Sequence, residues 1–140
     1  MFKSILQSGK RTTALFLVVF AMIFGTASVT YAASSGGWVS KQYQVNGAWE
    51  IFKRDGQTII KLSDSFQTNA GPDLKLFLSK TDISDLTGKN ATQNATFVSK
   101  LKSPTGSQEY VLPEGVDIND YTSLLIHCVK FSVLWGGSNI

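Results

Sequence analysis

The chain of 140 residues carries 13 Lys and Arg against 10 Asp and Glu, which gives a formal net charge of +3. The excess lies at the start, where Lys3, Lys10 and Arg11 precede an uninterrupted apolar run over residues 14–24. Beyond residue 32 the basic and acidic side chains balance and the basic ones are scattered, which excludes the concentrated basic surface that binds phosphate backbones. We therefore expect no nucleic-acid partner.

The first predicted element is a secretory signal peptide at residues 1–32. A basic start, an apolar core and a small-x-Ala end at residues 30–32 are typical of such a segment, and the apolar run is shorter than the roughly 20 residues that span a bilayer. We predict cleavage between Ala32 and Ala33. The expected location is outside the cytoplasm, in the periplasm, on the cell surface or secreted, with membrane contact only during export.

A small-residue stretch at 33–37 is predicted to be a flexible lead-in to a single domain at 38–140. The domain divides into short runs with strand character, separated by turn residues. Asn46-Gly47 and Asp55-Gly56 each predict a hairpin turn, because a type I′ turn needs positive φ at both central residues. Residues 81–100 are predicted to form a long polar surface excursion. The predicted strands are 38–45, 48–54, 57–62, 74–78, 107–112, 122–129 and 131–135.

These elements predict an all-β fold. After the signal peptide, no long segment shows the 3.6-residue apolar spacing of an amphipathic helix. About seven to eight short strands, with turn signals roughly every ten residues, indicate an antiparallel β-sandwich or barrel.

The counts of cysteine and histidine exclude several kinds of functional site, because the chain has one cysteine, Cys128, and one histidine, His127. They cannot supply an internal disulfide, a Cys-x-x-Cys dithiol or a structural zinc site. A Ser-His-acid triad would have to use His127, and no Gly-x-Ser-x-Gly elbow accompanies it. We predict no metal site, and the absence of a complete catalytic constellation argues against an enzyme.

The stretch around Cys128 is the most informative part of the sequence. In an extended strand alternate side chains face opposite sides, so Cys128 and Lys130 would share one face while His127 would lie on the other. Lys130 would favour the reactive thiolate if the site were partly wet, whereas apolar burial would favour the thiol. The residues alone leave both open, and a free cysteine commonly acts as an inert core residue.

Six groups of residues stand out when they are taken together and in order. They are 63–66 (SDSF); 71–75 (GPDLK) with 78–79 (LS); 101–103 (LKS); 106–108 (GSQ) with Tyr110 and Pro113; Asp117 with Tyr121; and 128–133 (CVKFSV) followed by Gly136. Across residues 37–140 they resemble the DM-thirteen domain family, also called the electron-transfer DM domain. The resemblance implies an extracytoplasmic β-sandwich, a near-invariant cysteine that falls on Cys128, and a redox or electron-transfer role.

Two positions near the cysteine have more than one interpretation. Family members often carry an aromatic residue, commonly Trp, immediately before the cysteine, and this chain has His127. His127 either fills that place on the opposite sheet face, or acts as a titratable group, or serves as an axial ligand of non-covalently bound haem. Asp73, in the Gly-Pro-Asp-Leu segment, either supplies local hydrogen bonds to the turn or supports the cysteine directly.

The leading functional hypothesis is an exported redox or electron-transfer module that uses Cys128. A lone cysteine needs an external partner to provide a resolving thiol, a haem or another electron carrier. The alternative is a non-catalytic cell-surface or adhesion domain that binds carbohydrate or protein through exposed aromatic rings. A solvent-facing row of rings would favour that alternative, although we expect at least four of the six candidates to be buried. The candidates are Trp38, Tyr43, Trp49, Tyr110, Tyr121 and Trp135.

Overall fold

The structure is a computed structural model that describes residues 32–140. The signal peptide predicted for residues 1–32 therefore lies, apart from its last residue, outside the described residues. Within the described part, no helix is long and apolar enough to cross a membrane.

Residues 32–140 form eleven β-strands and three short 3₁₀ helices, the latter at Ile83–Asp85, Ile118–Asp120 and Val129–Phe131. Eight strands have four or more residues, in line with the seven or eight predicted, and three have two residues each. In chain order the strands are β1 (Ala32–Gly37), β2 (Val39–Ser40), β3 (Val45–Asn46), β4 (Ala48–Arg54), β5 (Gln57–Leu62), β6 (Gln67–Thr68), β7 (Leu74–Ser79), β8 (Thr96–Lys100), β9 (Gln108–Val111), β10 (Ser123–Cys128) and β11 (Val133–Asn139).

The strands form two main antiparallel sheets that do not close into a barrel. The four-stranded sheet has the order β1-β4-β5-β9, the five-stranded sheet has the order β2-β11-β10-β7-β8, and β3 pairs with β6 in a separate ribbon. The all-β antiparallel prediction is confirmed, and the barrel alternative is wrong. The two sheets instead pack against each other as layers around a shared apolar core.

The core between the sheets, which we call the inner cluster, draws residues from both layers. The four-stranded sheet contributes side chains such as Ile51 and Ile60, and the five-stranded sheet contributes Leu76 and Ile126, all with no exposed surface. Phe66, from the loop between β5 and β6, also folds into this cluster. Burial of apolar surface on this scale is the main force that holds the two sheets together.

A smaller apolar layer, which we call the outer cluster, covers the opposite face of the five-stranded sheet. Its six buried members come from β7, β10, β11 and the excursion after β7. The excursion was predicted to be a surface loop over residues 81–100, but its end forms β8, and Ile83, Leu86 and Ala91 bury their side chains. Its few apolar residues therefore fasten it to the sheet. The six members are Phe77, Ile83, Leu86, Ala91, Leu125 and Leu134.

The two predicted hairpin turns have different outcomes. Asp55 and Gly56 have φ of 52° and 77° and join β4 to β5, which confirms the prediction. Asn46-Gly47 does not join two paired strands, because β3 pairs with β6 while β4 pairs with β1 and β5. A Cβ on Gly47 would lie 2.7 Å from the backbone nitrogen of Phe66. Glycine at 47 thus permits a close approach of two chain segments as well as a positive φ.

Two further boundary predictions are wrong. The predicted flexible lead-in at 33–37 belongs to strand β1, which hydrogen-bonds along the edge of β4. The last strand was predicted at 131–135, ending at two glycines, but β11 begins at Val133 and has Gly136 and Gly137 inside it. Neither glycine has space for a side chain: a Cβ on Gly137 would lie 2.4 Å from the Ile83 Cδ1 atom.

Candidate functional site around Cys128

Cys128 is the last residue of β10 and lies inside the inner cluster. Its neighbours in register are Leu74 on β7 and Val133 on β11. The residue has 0% exposed surface, and its thiol is unpaired. All six residues of β10 are buried, because this strand is central in the five-stranded sheet and both of its faces are covered. The sequence left the exposure of Cys128 open, and the structure places it in the core.

Lys130 does not share a strand face with Cys128, contrary to the prediction. Strand β10 ends at Cys128, and the next three residues form a 3₁₀ turn that closes with Ser132 at φ 54° and ψ 46°. The alternation of a strand therefore stops before Lys130. Its side chain is exposed, with Nζ 5.6 Å from the centre of the Phe131 ring, which is itself 61% exposed.

Asp73 contacts the end of β10 through its backbone. Its carbonyl oxygen accepts a hydrogen bond from the Val129 N–H at 3.1 Å, directly after Cys128. Its carboxylate lies 3.2 Å from Nζ of Lys75. The Asp73 carbonyl oxygen thus joins the start of β7 to the residue after Cys128, and both alternatives for the Asp73 side chain stay predictions. Its carboxylate is engaged by Lys75 in this arrangement.

His127 faces the outer cluster, on the side of the sheet opposite to Cys128. Its Nε2 lies 2.9 Å from the Gly88 carbonyl oxygen. Because a carbonyl oxygen only accepts hydrogen bonds, Nε2 is the donor in this contact. Nδ1 is buried and has no hydrogen-bond partner. The ring meets Phe77 edge to face, with centroids 6.2 Å apart.

These contacts do not fit the proposed haem ligand. The imidazole is 2% exposed, its Nε2 already bonds Gly88, and the excursion covers the face of the sheet on which it lies. An axial ligand needs a nitrogen lone pair that faces a space wide enough for the macrocycle. His127 instead fills a buried place in the outer cluster, which is the structural alternative considered for it.

Two surface hollows lie near these residues without reaching the sulfur. A groove of about 200 Å³ is lined by Asp73, Leu74 and Lys102 among others, and Leu74 is the residue of β7 that pairs with Cys128. A groove of about 640 Å³ on the other side of the sheet is lined by Gly88 and Leu134 among others. Cys128 lines neither. In the closed fold the thiol is therefore out of reach of dissolved molecules.

The six aromatic candidates do not form a solvent-facing row. Three of them, Trp49, Tyr110 and Trp135, are buried rather than the four expected, and Trp38 and Tyr121 are half-buried. Tyr43 alone among the six is exposed, and it stacks on Trp135. This pairing was not predicted, because nothing in a single sequence places residues 43 and 135 together. The arrangement gives no support to the adhesion alternative.

Comparison with known families agrees with the resemblance seen in the sequence. The chain matches the family model described as electron transfer DM13 over residues 38–140, which is nearly the whole described domain. The protein belongs to this family. No curated protein and no solved structure matches the chain. Membership in an electron-transfer family implies a redox partner in general terms.

Proposed function

We propose that this protein is an exported electron-transfer module that exchanges electrons with an external partner, with Cys128 as the reacting sulfur. The observation that carries the proposal is the family match over residues 38–140. The basic and apolar start of the chain and the small-x-Ala sequence before Ala33 support export. The lone cysteine cannot form an internal disulfide, so the second sulfur of any exchange belongs to the partner.

The burial of Cys128 sets the condition for this chemistry. A thiolate must reach a partner sulfur, and a side chain with no exposed surface meets one only after local opening. The segment next to Cys128 that would have to open is the Val129–Phe131 turn, whose residues are exposed and whose Val129 N–H donates a hydrogen bond to the Asp73 carbonyl oxygen. Opening of this turn would release the end of β10 that carries Cys128.

In the exchange step, the Cys128 thiol loses its proton to water, and the thiolate attacks one sulfur of a disulfide. A bond forms between Sγ of Cys128 and that sulfur, the original disulfide bond breaks, and the other sulfur leaves as a thiolate. A resolving thiolate of the partner then attacks this mixed disulfide and releases Cys128. The partner sulfur is thereby oxidised into a new disulfide with the sulfur that Cys128 had attacked, the other sulfur of the original disulfide is reduced to a thiolate, and Cys128 is regenerated.

The test uses glutathione disulfide as the probe and mass spectrometry of the mixed disulfide as the measurement. We expect slow formation on the folded protein, no formation on Cys128→Ala, and roughly tenfold faster formation on Val129→Pro, which loses about one hydrogen bond of the turn. Lys130→Ala, which changes an exposed side chain in the same turn, is the matched control and should leave the rate unchanged. Reaction only at the rate of global unfolding, equal in all cysteine-containing variants, would contradict the proposal.

A further inference from the structure

Tyr43 and Trp135 form a stacked pair that connects the surface to the inner cluster. Their ring centroids are 3.9 Å apart, with planes inclined by 26°. Tyr43 is 39% exposed, whereas Trp135 is 4% exposed and belongs to the inner cluster. One ring of the pair therefore meets solvent and the other meets the core.

The pair is held in place by hydrogen bonds at both ends. The Trp135 indole N–H donates to the carbonyl oxygen of Asn69 at 3.1 Å. The Tyr43 backbone N–H donates to the carbonyl oxygen of Trp135 at 3.4 Å, which ties the two residues directly to each other. The indole also packs close to Leu74: a Cβ on Gly71 would lie 2.9 Å from Leu74 Cδ2 and 3.1 Å from the Trp135 ring. The indole is thus fixed beside the residue that pairs with Cys128.

Chemistry distinguishes this pair from the other aromatic contacts among the described residues. The remaining ring pairs each contain a phenylalanine, which does not readily lose an electron. Tyr43 and Trp135 are both oxidisable, and parallel overlap of two rings spreads the charge left by a lost electron. Tyr110 offers a contrast, because burial raises the pKa of its hydroxyl, which also contacts Gln108 and the Lys102 N–H.

We propose that the Tyr43–Trp135 stack is a one-electron exchange site for outer-sphere partners of the metal-complex or haem class. On oxidation the stack gives one electron to an oxidised partner, which is reduced by one electron. The Tyr43 phenol releases its proton to water, and a neutral tyrosyl radical remains. No bond between heavy atoms forms or breaks. Reduction reverses the step, with one electron from a reduced partner and one proton from water.

This inference goes beyond the exchange chemistry proposed for Cys128 and does not depend on it. Trp135 and Cys128 both belong to the inner cluster; Cys128 pairs with Val133, and Trp135 is the residue of β11 without a partner on β10, where the register shifts between Ile126 and His127. The stack can nevertheless lose an electron while the sulfur stays sealed, because its proton leaves from the exposed ring.

The experiment is photochemical oxidation of the full chain by a photogenerated ruthenium(III) tris-bipyridine complex, followed by transient absorption of the tyrosyl radical. All proteins carry Tyr31→Phe, so that the tyrosyl signal comes only from Tyr43, Tyr110 and Tyr121. We expect Tyr43→Phe to lose most of the tyrosyl signal, while Tyr121→Phe, which removes a half-buried hydroxyl, retains it. Trp135→Phe, checked for folding by circular dichroism, should lower the yield of the Tyr43 radical because the oxidisable inner ring is gone.

Equal losses in Tyr43→Phe and Tyr121→Phe, or no loss in Tyr43→Phe, would overturn the inference. An unchanged yield in a folded Trp135→Phe protein would reduce the site to an exposed tyrosine and would also overturn it. Cys128→Ala separates the two proposals: the tyrosyl signal should persist there, while formation of the mixed disulfide with glutathione is abolished. Failure of the sulfur proposal would therefore leave this result unaffected, and the reverse holds as well.

Discussion

Strand β10 separates two regions that differ in how they are closed. On one face, Ile126 and Cys128 lie in the inner cluster, whose sixteen buried residues come from both sheets and the loops between them. On the other face, Leu125 and His127 lie under the excursion, and Leu125 belongs to the outer cluster of six buried residues that one sheet shares with a loop. The inner cluster is therefore covered by a β-sheet on each side, whereas the outer cluster has a β-sheet on one side and a loop on the other.

The difference shows which movements could expose the sulfur. Local opening is easiest where few apolar contacts and few backbone hydrogen bonds hold a segment, and in this protein that describes the excursion better than the sandwich. Release of the excursion would uncover His127, but Cys128 faces the other way. Access to the thiol therefore depends on the end of β10 and its turn, and the stability of the inner cluster limits how far that opening extends.

The largest expected effect comes from truncating neighbouring residues of β10 that face the two regions. Ile126→Ala should lower the free energy of unfolding by about 4 kcal/mol, and Leu125→Ala by about 2–3 kcal/mol, because a cavity under a loop collapses more readily than one between two sheets. Both side chains have no exposed surface, so the pair is matched for burial. Urea unfolding measures the difference, and a greater loss in Leu125→Ala would contradict this view of the two regions.

A second prediction tests directly how closely the excursion packs against the sheet. A Cβ on Gly88 would lie 2.2 Å from the carbonyl oxygen of Ser132, so Gly88→Ala must push the excursion away from β11. We expect a loss of about 2 kcal/mol in the free energy of unfolding, as is usual for overpacking. Gly37→Ala is the control: its Cβ would meet a single atom, the Gly47 carbonyl oxygen at 3.9 Å, and the change should stay within about 0.5 kcal/mol. Equal changes in the free energy of unfolding in the two variants would show that the chain at Gly88 and Ser132 can move apart without loss of stability.

The same comparison explains how much of the fold could be predicted from the sequence. Features that depend on adjacent residues were predictable, such as the Asp55-Gly56 turn and the opposite orientation of His127 and Cys128 within one strand. Features that depend on distant strands were not. The run 38–45 was predicted to be one strand, but β2 within it pairs with β11, and Val45 at its end begins β3, which pairs with β6.

The candidate site shows the same division. The resemblance of short segments was enough to identify the family and to single out Cys128. The burial of the sulfur depends on the opposing sheet, and the end of β10 at Cys128 depends on a turn whose Val129 N–H bonds to Asp73, 56 residues earlier. Neither feature leaves a local signal. Lys130 was therefore assigned to the wrong surroundings, and the Tyr43–Trp135 stack was not found.

A smaller effect is expected from replacing His127 by an apolar residue of similar size. His127→Leu loses the hydrogen bond to Gly88, which is worth about 1 kcal/mol, but it also removes the unpartnered Nδ1 from the outer cluster. The two changes should nearly cancel, to within about 1 kcal/mol in urea unfolding. His127→Ala, which opens a cavity at the same position, should be clearly more destabilising. Equal losses in both variants would mean that the bond to Gly88, rather than filling the space, is the main contribution of the histidine.

The smallest effect concerns the start of the excursion and depends on pH. Asp82 caps the Ile83–Asp85 turn: its Oδ1 accepts hydrogen bonds from the Ser84 N–H and hydroxyl at 2.8 Å, and its Oδ2 accepts one from the Asn139 side chain at 2.7 Å. The bond from the Ser84 backbone is the main cause that lowers the pKa of this carboxyl below its ordinary value of 3.8. A lowered pKa in the folded state means that the carboxylate stabilises the fold above the unfolded pKa, and that this contribution is lost as the pH falls through the folded pKa.

Asp82→Ala should therefore unfold at a lower urea concentration than the unmodified protein at pH 7, and the two midpoints should converge below about pH 4. The Asp64→Ala variant, which removes an exposed carboxylate in the loop before β6, is the control, and its midpoint at pH 7 should stay close to that of the unmodified protein. A midpoint difference for Asp82→Ala that stays constant from pH 7 to about pH 3 would show that the cap does not depend on the charge of Asp82.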